Sequence, residues 1–206
     1  MEDVRGLKAL QLDALREVAN IGAGHAATAL SQMTNRTIMI SVPEVNVRPL
    51  EDVAELFGPS DTVIAAVLMH MMGDLTGRTL LMFPQQSART LCDILFRRAS
   101  GTTEGFGPME QSGLKEVGNI LVSAYMTALS DFMGMMLVPS VPSLVVDLSG
   151  AILTTTYLNF GHDRDYVFCV ETSFSVAGAD EQLVGHFLLM PDLPSLRAIF
   201  DAIRLS

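Results

Sequence analysis

Cysteine is scarce in this 206-residue chain: Cys92 and Cys169 stand far apart, each inside an apolar run. Placed so, they read as buried free thiols, and neither is paired with histidine at zinc-ligand spacing. Basic residues are few as well. Thirteen Lys and Arg against 23 Asp and Glu leave a formal charge of −10. That balance argues against nucleic acid and anionic membrane as partners, since both demand a cationic surface. A basic or locally basic protein suits it better. Long apolar runs are also missing. The nearest candidate, Val63 to Met72, is interrupted by His70 and falls short of the roughly 18 residues of a membrane span. The opening MEDVRGLKAL is acidic within three positions and has no apolar signal core, so the expected compartment is the cytoplasm. Charged residues make up only 17% of the chain and hydrophobic ones 49%, which argues against disorder and provides for a substantial core.

What the chain does have is an internal repeat. Leu15, Glu17, Val18, Asn20 and Ile21 recur as Leu114, Glu116, Val117, Asn119 and Ile120, each pair 99 positions apart. The same offset carries Thr28-Ala-Leu-Ser31 onto Thr127-Ala-Leu-Ser130 and Pro43 onto Pro142. An unbroken offset over that length marks a duplicated unit.

The halves continue in parallel. Helical patterns over about 10–33 and 109–133 lead into extended runs, Thr37–Val47 and Met136–Asp147. Strand-like segments follow: Thr62–Met69 and Arg78–Phe83, then Ala151–Phe160, Tyr166–Phe174 and Leu183–Met190, all rich in β-branched and aromatic residues. Each half closes on a helix after a proline, Gln86–Arg97 behind Pro84 and Leu193–Leu205 behind Pro191. The stretch 99–107, rich in Gly, Thr and Ser, reads as a linker. The expected fold class is α+β, a pseudo-two-fold duplicated unit. A central, mostly antiparallel sheet carries two long motif-bearing helices on one face. Residues 1–206 then form one domain of two repeats, about 8–98 and 107–206.

On the first helix Asp13, Glu17, Asn20, Gly24 and Thr28 follow three- and four-residue steps and share one stripe. Ser112, Glu116, Asn119, Ser123 and Thr127 do the same on the second. Leu15, Val18, Gly22, Ala26 and Ala29 occupy the opposite side, matched by Leu114, Val117, Leu121, Ala124/Tyr125 and Ala128, and can lie on a sheet. Such a polar stripe is ordinarily a solvated face, and one Glu-x-x-Asn carries almost no information. Asn is, however, a poor helix-interior residue. Two of them, each three residues after a Glu in duplicated helices, raise the weight of a functional reading. On the residues alone both readings stand.

The pattern Asp/Ser-x-x-x-Glu-x-x-Asn, followed after 22 residues by Pro, resembles the signature of the CheC/FliY/CheX phosphatases of bacterial and archaeal chemotaxis. It is carried twice, by Asp13, Glu17, Asn20, Pro43 and by Ser112, Glu116, Asn119, Pro142. The string from Asn20 to Leu30 is similar to that family's first helix nearly throughout, and two intact copies resemble its CheC-type branch. The resemblance implies hydrolysis of the aspartyl phosphate of a CheY-type response regulator by in-line attack of water. Asn20 and Asn119 would orient the water, while Glu17 and Glu116 would pair with a lysine of the receiver. It implies no cofactor of its own, the Mg²⁺ belonging to the phosphorylated receiver, and a CheD deamidase as a further partner. It also leaves open a non-catalytic scaffold of the FliM-like, flagellar-switch kind. Pro43 and Pro142 are expected to be structural, because proline in a strand-like run is confined to edges, strand starts or bulges. Asp13 and Ser112 either support the glutamates or touch the partner. His25 reads as a helix-surface side chain, and His70, His162 and His186 suggest nothing catalytic. Asp163, Arg164 and Asp165 read as a turn.

Overall fold

In the computed structural model, residues 9–42, 44–57, 59–160, 166–176 and 183–205 are described; Pro43, His162 and the expected turn at 163–165 lie outside them. Helix α1 (Ala9–Thr34) leads through β1 (Ile38–Ser41) and β2 (Val45–Pro49) to a 3-10 helix, Leu50–Phe57. The hairpin β3 (Val63–Gly73) and β4 (Gly77–Pro84) follows, then α2 (Gln85–Leu95). The second half runs the same course: α3 (Pro108–Met133), β5 (Leu137–Pro139), β6 (Ser143–Leu148), α4 (Ser149–Phe160), β7 (Tyr166–Val176), β8 (Leu183–Pro191) and α5 (Leu193–Leu205). The repeat extends to the helix ends. Asn35 at φ 53° closes α1 and Gly134 at φ 65°, 99 positions on, closes α3, both left-handed as helix C-termini favour.

The described strands form one antiparallel sheet in the order β1-β7-β8-β4-β3-β5, with β2 also on β7 and β6 also on β3. The two hairpins meet at the centre through β4 and β8. Each half's short strands therefore pair with the other half's hairpin: β1 and β2 of the first on β7, β5 and β6 of the second on β3. Both edges are completed by exchange.

Alternation along the strands splits the core in two. Ala65, Val67, Met69 and Met71 of β3, with Leu81 and Phe83 of β4, face the larger cluster. That cluster is covered by Leu15, Val18, Ala23, Ala26 and Leu30 of α1 and by Leu114, Val117, Leu121 and Tyr125 of α3, with α2 and α5 beside them. Each such fully buried Leu or Val contributes about 1.5–3 kcal/mol. The intervening Ile64, Ala66, Leu80 and Met82 face a second, smaller cluster with Val53, Ile152 and Leu153. The two long helices thus lie on one face, as expected. Tight approach fixes them there: a Cβ at Gly22 would meet Tyr125 at 2.7 Å, and one at Gly118 would meet Val67 at 2.6 Å.

One segment differs from its sequence reading. Ala151–Phe160, expected as a strand, belongs to α4. Its β-branched run invites the strand reading, but Ile152, Leu153 and Thr156 are buried at helical spacing, and the Thr156 hydroxyl bonds the Ile152 carbonyl at 2.8 Å. The sheet's second face needs a cover, and tertiary burial overrides local propensity. The 3-10 helix Leu50–Phe57, its counterpart at the same offset, had no assigned element.

Residues 99–107 are held down by hydrogen bonds. Asp93, 2% exposed, accepts from the Gly101 and Thr102 amides at 2.8 and 3.2 Å and from the Thr102 and Thr103 hydroxyls at 2.9 and 2.6 Å. Arg98 pairs with Glu110, in the first turn of α3, at 2.7 Å.

Candidate functional site: two helix stripes and two bulges

The structure presents both polar stripes outward. On α1, Asp13, Glu17, Gly24 and Thr28 are exposed and Asn20 is half-buried. On α3, Ser112, Glu116 and Thr127 are exposed, with Asn119 and Ser123 half-buried. The opposite sides are in the core, apart from Ala29 and Ala124, which are half-buried. Glu and Asn three residues apart share a helix face, so each stripe offers a carboxylate and a neutral amide together.

Each stripe lies on a helix that leads into a bulged strand. The first extended run breaks after Ser41 and the second after Pro139. Between Ser41↔Ser173 and Val45↔Val170, three residues, 42–44, oppose only two, Glu171 and Thr172. Between Pro139↔Met71 and Ser143↔Leu68, residues 140–142 oppose Met69 and His70. The extra residue is a β-bulge, one of the places where a strand tolerates proline. Pro142 sits within it; Pro43 lies outside the described residues.

The bulge explains why a strand near α1 involves Asn20. Val42 lies between the two paired stretches, so its amide has no partner across the ladder. The Asn20 carbonyl oxygen accepts that N–H at 3.2 Å. Arg16, one turn earlier, donates through Nε to the Val42 carbonyl at 3.4 Å. Both backbone groups of Val42 are thereby held by α1. That bond restrains the Asn20 side chain and turns its carbonyl towards the bulge.

The second bulge is held differently. Ser140 donates its amide to the His70 carbonyl and accepts the His70 amide on its hydroxyl, each at 2.9 Å. Val141, the counterpart of Val42, is 87% exposed where Val42 is 2%. Among the described residues no hydrogen bond ties Asn119 to Val141. The two stripes are alike in residues and unlike in support.

A cavity beneath the helices, lined by Leu15, Val18, Tyr125, Phe168, Phe187 and Ile199, is wholly apolar and holds no stripe residue. Cys92 and Cys169 are buried and outside any disulfide, and burial, reinforced by Glu110 and Asp93, pushes Cys92 up to about 12. His25 and His70 are exposed, and His186 is buried in β8. No described helix is long and apolar enough to cross a membrane.

A duplicated, strand-exchanged sheet with one long helix from each repeat on the same face defines a class of fold, and comparison with known proteins says which. The chain matches the CheC-like family over residues 10–47 and 109–146, two segments set apart by the same 99 positions. It is 34% identical over 208 residues to the CheY-P phosphatase CheC of Bacillus subtilis, covering 100% of both chains. The crystal structure of Thermotoga maritima FliY superposes with a TM-score of 0.80 at 20% identity, covering 97% of this chain and 98% of that one. The FliM middle domain from H. pylori does so at 0.63 and 14%, covering 95% and 99%. This chain belongs to the CheC-like family.

Arg16, Val42 and Ser140 escaped the sequence reading. The only available signal was the four-residue step from Arg16 to Asn20, together with the valine preceding each motif proline.

Proposed function

We propose that this chain is a cytoplasmic phosphatase that hydrolyses the aspartyl phosphate of a CheY-type response regulator at two sites. The observation that carries the reading is the Glu/Asn pair presented twice on exposed helix faces. Its context is a chain 34% identical, end to end, to a protein named CheY-P phosphatase CheC.

The chemistry asks little of the protein beyond position. Water attacks phosphorus in line with the aspartate oxygen, the P–O bond to aspartate breaks, and inorganic phosphate and the free carboxylate result. The receiver brings its own Mg²⁺ to the phosphoryl oxygens. Asn20 and Asn119 supply a neutral amide that hydrogen-bonds the water and holds it opposite the leaving oxygen; at Asn20 this uses the N–H donors and the oxygen lone pair that the Val42 amide does not occupy. Glu17 and Glu116 pair with a lysine of the receiver; an exposed pair is worth about 0–1 kcal/mol, more once docking excludes water, so it sets register more than affinity. A CheD-type deamidase as second partner is part of this proposal.

The test is phosphate loss from a purified phosphorylated CheY-type receiver with Mg²⁺, with and without the protein. The chain should accelerate it, and Asn20→Ala/Asn119→Ala should lower that acceleration about 100-fold, the scale of a lost positioning term. A double variant as fast as the parent would remove the asparagines from the mechanism. CheD binding is checked separately by calorimetry with purified CheD.

A further inference from the structure

Glycine in mid-helix is about 1 kcal/mol less favourable than alanine. At Gly22 the fold supplies the reason, since a Cβ would strike Tyr125. At Gly24 it supplies none. A Cβ there would meet nothing within 4 Å, and Gly24 is not among the positive-φ glycines. Gly24 is exposed, one turn beyond Asn20 on the same face. One turn further, Thr28 folds its hydroxyl onto the Gly24 carbonyl at 3.0 Å instead of offering it to solvent. On α3 the Thr127 hydroxyl bonds the Ser123 carbonyl at 2.8 Å in the same way. In both repeats the threonine hydroxyl beside this position is already satisfied, but only the first repeat has no side chain there.

We infer that Gly24 seats the main chain of the phosphorylated receiver, and that the missing side chain sets how closely Asn20 approaches the phosphoryl group. This rests on the phosphatase reading above and adds the residue that determines docking depth. The occupant is the receiver loop carrying the acyl phosphate, brought onto the stripe by Glu17. Ser123 adds a hydroxymethyl group at the second site, where the loop rides higher.

The test places Gly24→Ala and Gly24→Leu in an Asn119→Ala background, in which only the first site can act, and measures kinetics with the phosphorylated receiver alongside thermal unfolding. Gly24→Ala should keep or raise Tm, while kcat/KM falls roughly tenfold, a fraction of what an ångström of misplacement can do; Gly24→Leu should lower it further. In an Asn20→Ala background, where the first site is already silent, the same substitutions report only on folding. An unchanged kcat/KM for Gly24→Leu in the first-site background overturns the inference. So does an equal fall in both backgrounds with a lowered Tm, which signals general damage. If the wild-type chain leaves phosphate loss unaccelerated, the phosphatase reading falls and this inference with it. That result appears in the parent protein before any Gly24 variant is made.

Discussion

The Asn20 carbonyl secures the Val42 amide and so ties the middle of α1 to the bulge. The sequence disclosed half of this. The paired Glu and Asn were visible because they recur at one offset, whereas the partner of Asn20 lies 22 positions away in a bulge, and no short-range pattern encodes it. Asp93 was invisible for the same reason. Its stretch of linker has the composition of a loop, and only the structure reveals the carboxylate that organises it. Burial pushes the Asp93 carboxyl up, but bonds from Thr103, Thr102 and the Gly101 amide outweigh that and hold it below the usual carboxylate range. A depressed folded pKa contributes stability that is full above the unfolded value and is lost as pH falls through the folded one. Asp93→Asn should therefore cost about 2 kcal/mol at neutral pH, the scale of hydrogen bonds to a charged group. In strong acid the variant should approach the parent, read from urea midpoints across pH. A gap that stays constant below the carboxylate range would contradict the assignment.

Elements were legible where periodicity and burial agree. Both long helices, the β3–β4 and β7–β8 hairpins and the closing helices were apparent from pattern, and Leu193–Leu205 matches α5 residue for residue. The misreading fell where they disagree: Thr154, Thr155 and Thr156 read as strand, yet that segment must cover a sheet face that local sequence cannot reveal. The packing of α1 on α3 gives a prediction at this scale. Gly22→Ala adds the same methyl as Gly24→Ala, but into Tyr125 Cδ1 at 2.7 Å and Tyr125 Cα at 2.9 Å. Helix propensity favours the change by about 1 kcal/mol. Overpacking opposes it by about 1–3 kcal/mol or more, since a backbone atom stands in the way. The net effect should be a lower denaturant midpoint; a higher one would mean that the helices separate freely.

For the whole molecule, duplication was visible but exchange was not, because self-similarity says that two units exist and nothing about which strands they share. Each half alone would leave its hairpin without an edge and its short strands without a partner. Peptides covering 1–99 and 100–206 should each lack the near-ultraviolet circular dichroism of packed aromatics and recover it on mixing, while the intact chain unfolds in a single transition. A half that folds alone with native signals would refute this. The exchange also matters while the protein is being made. Ile38 pairs with Val176, across more than half the chain, so the first edge strand leaves the ribosome long before its partner has been synthesised. For that interval the nascent first half presents an unpaired apolar strand, and synthesis rate and chaperone access, as much as final stability, govern the yield of folded protein.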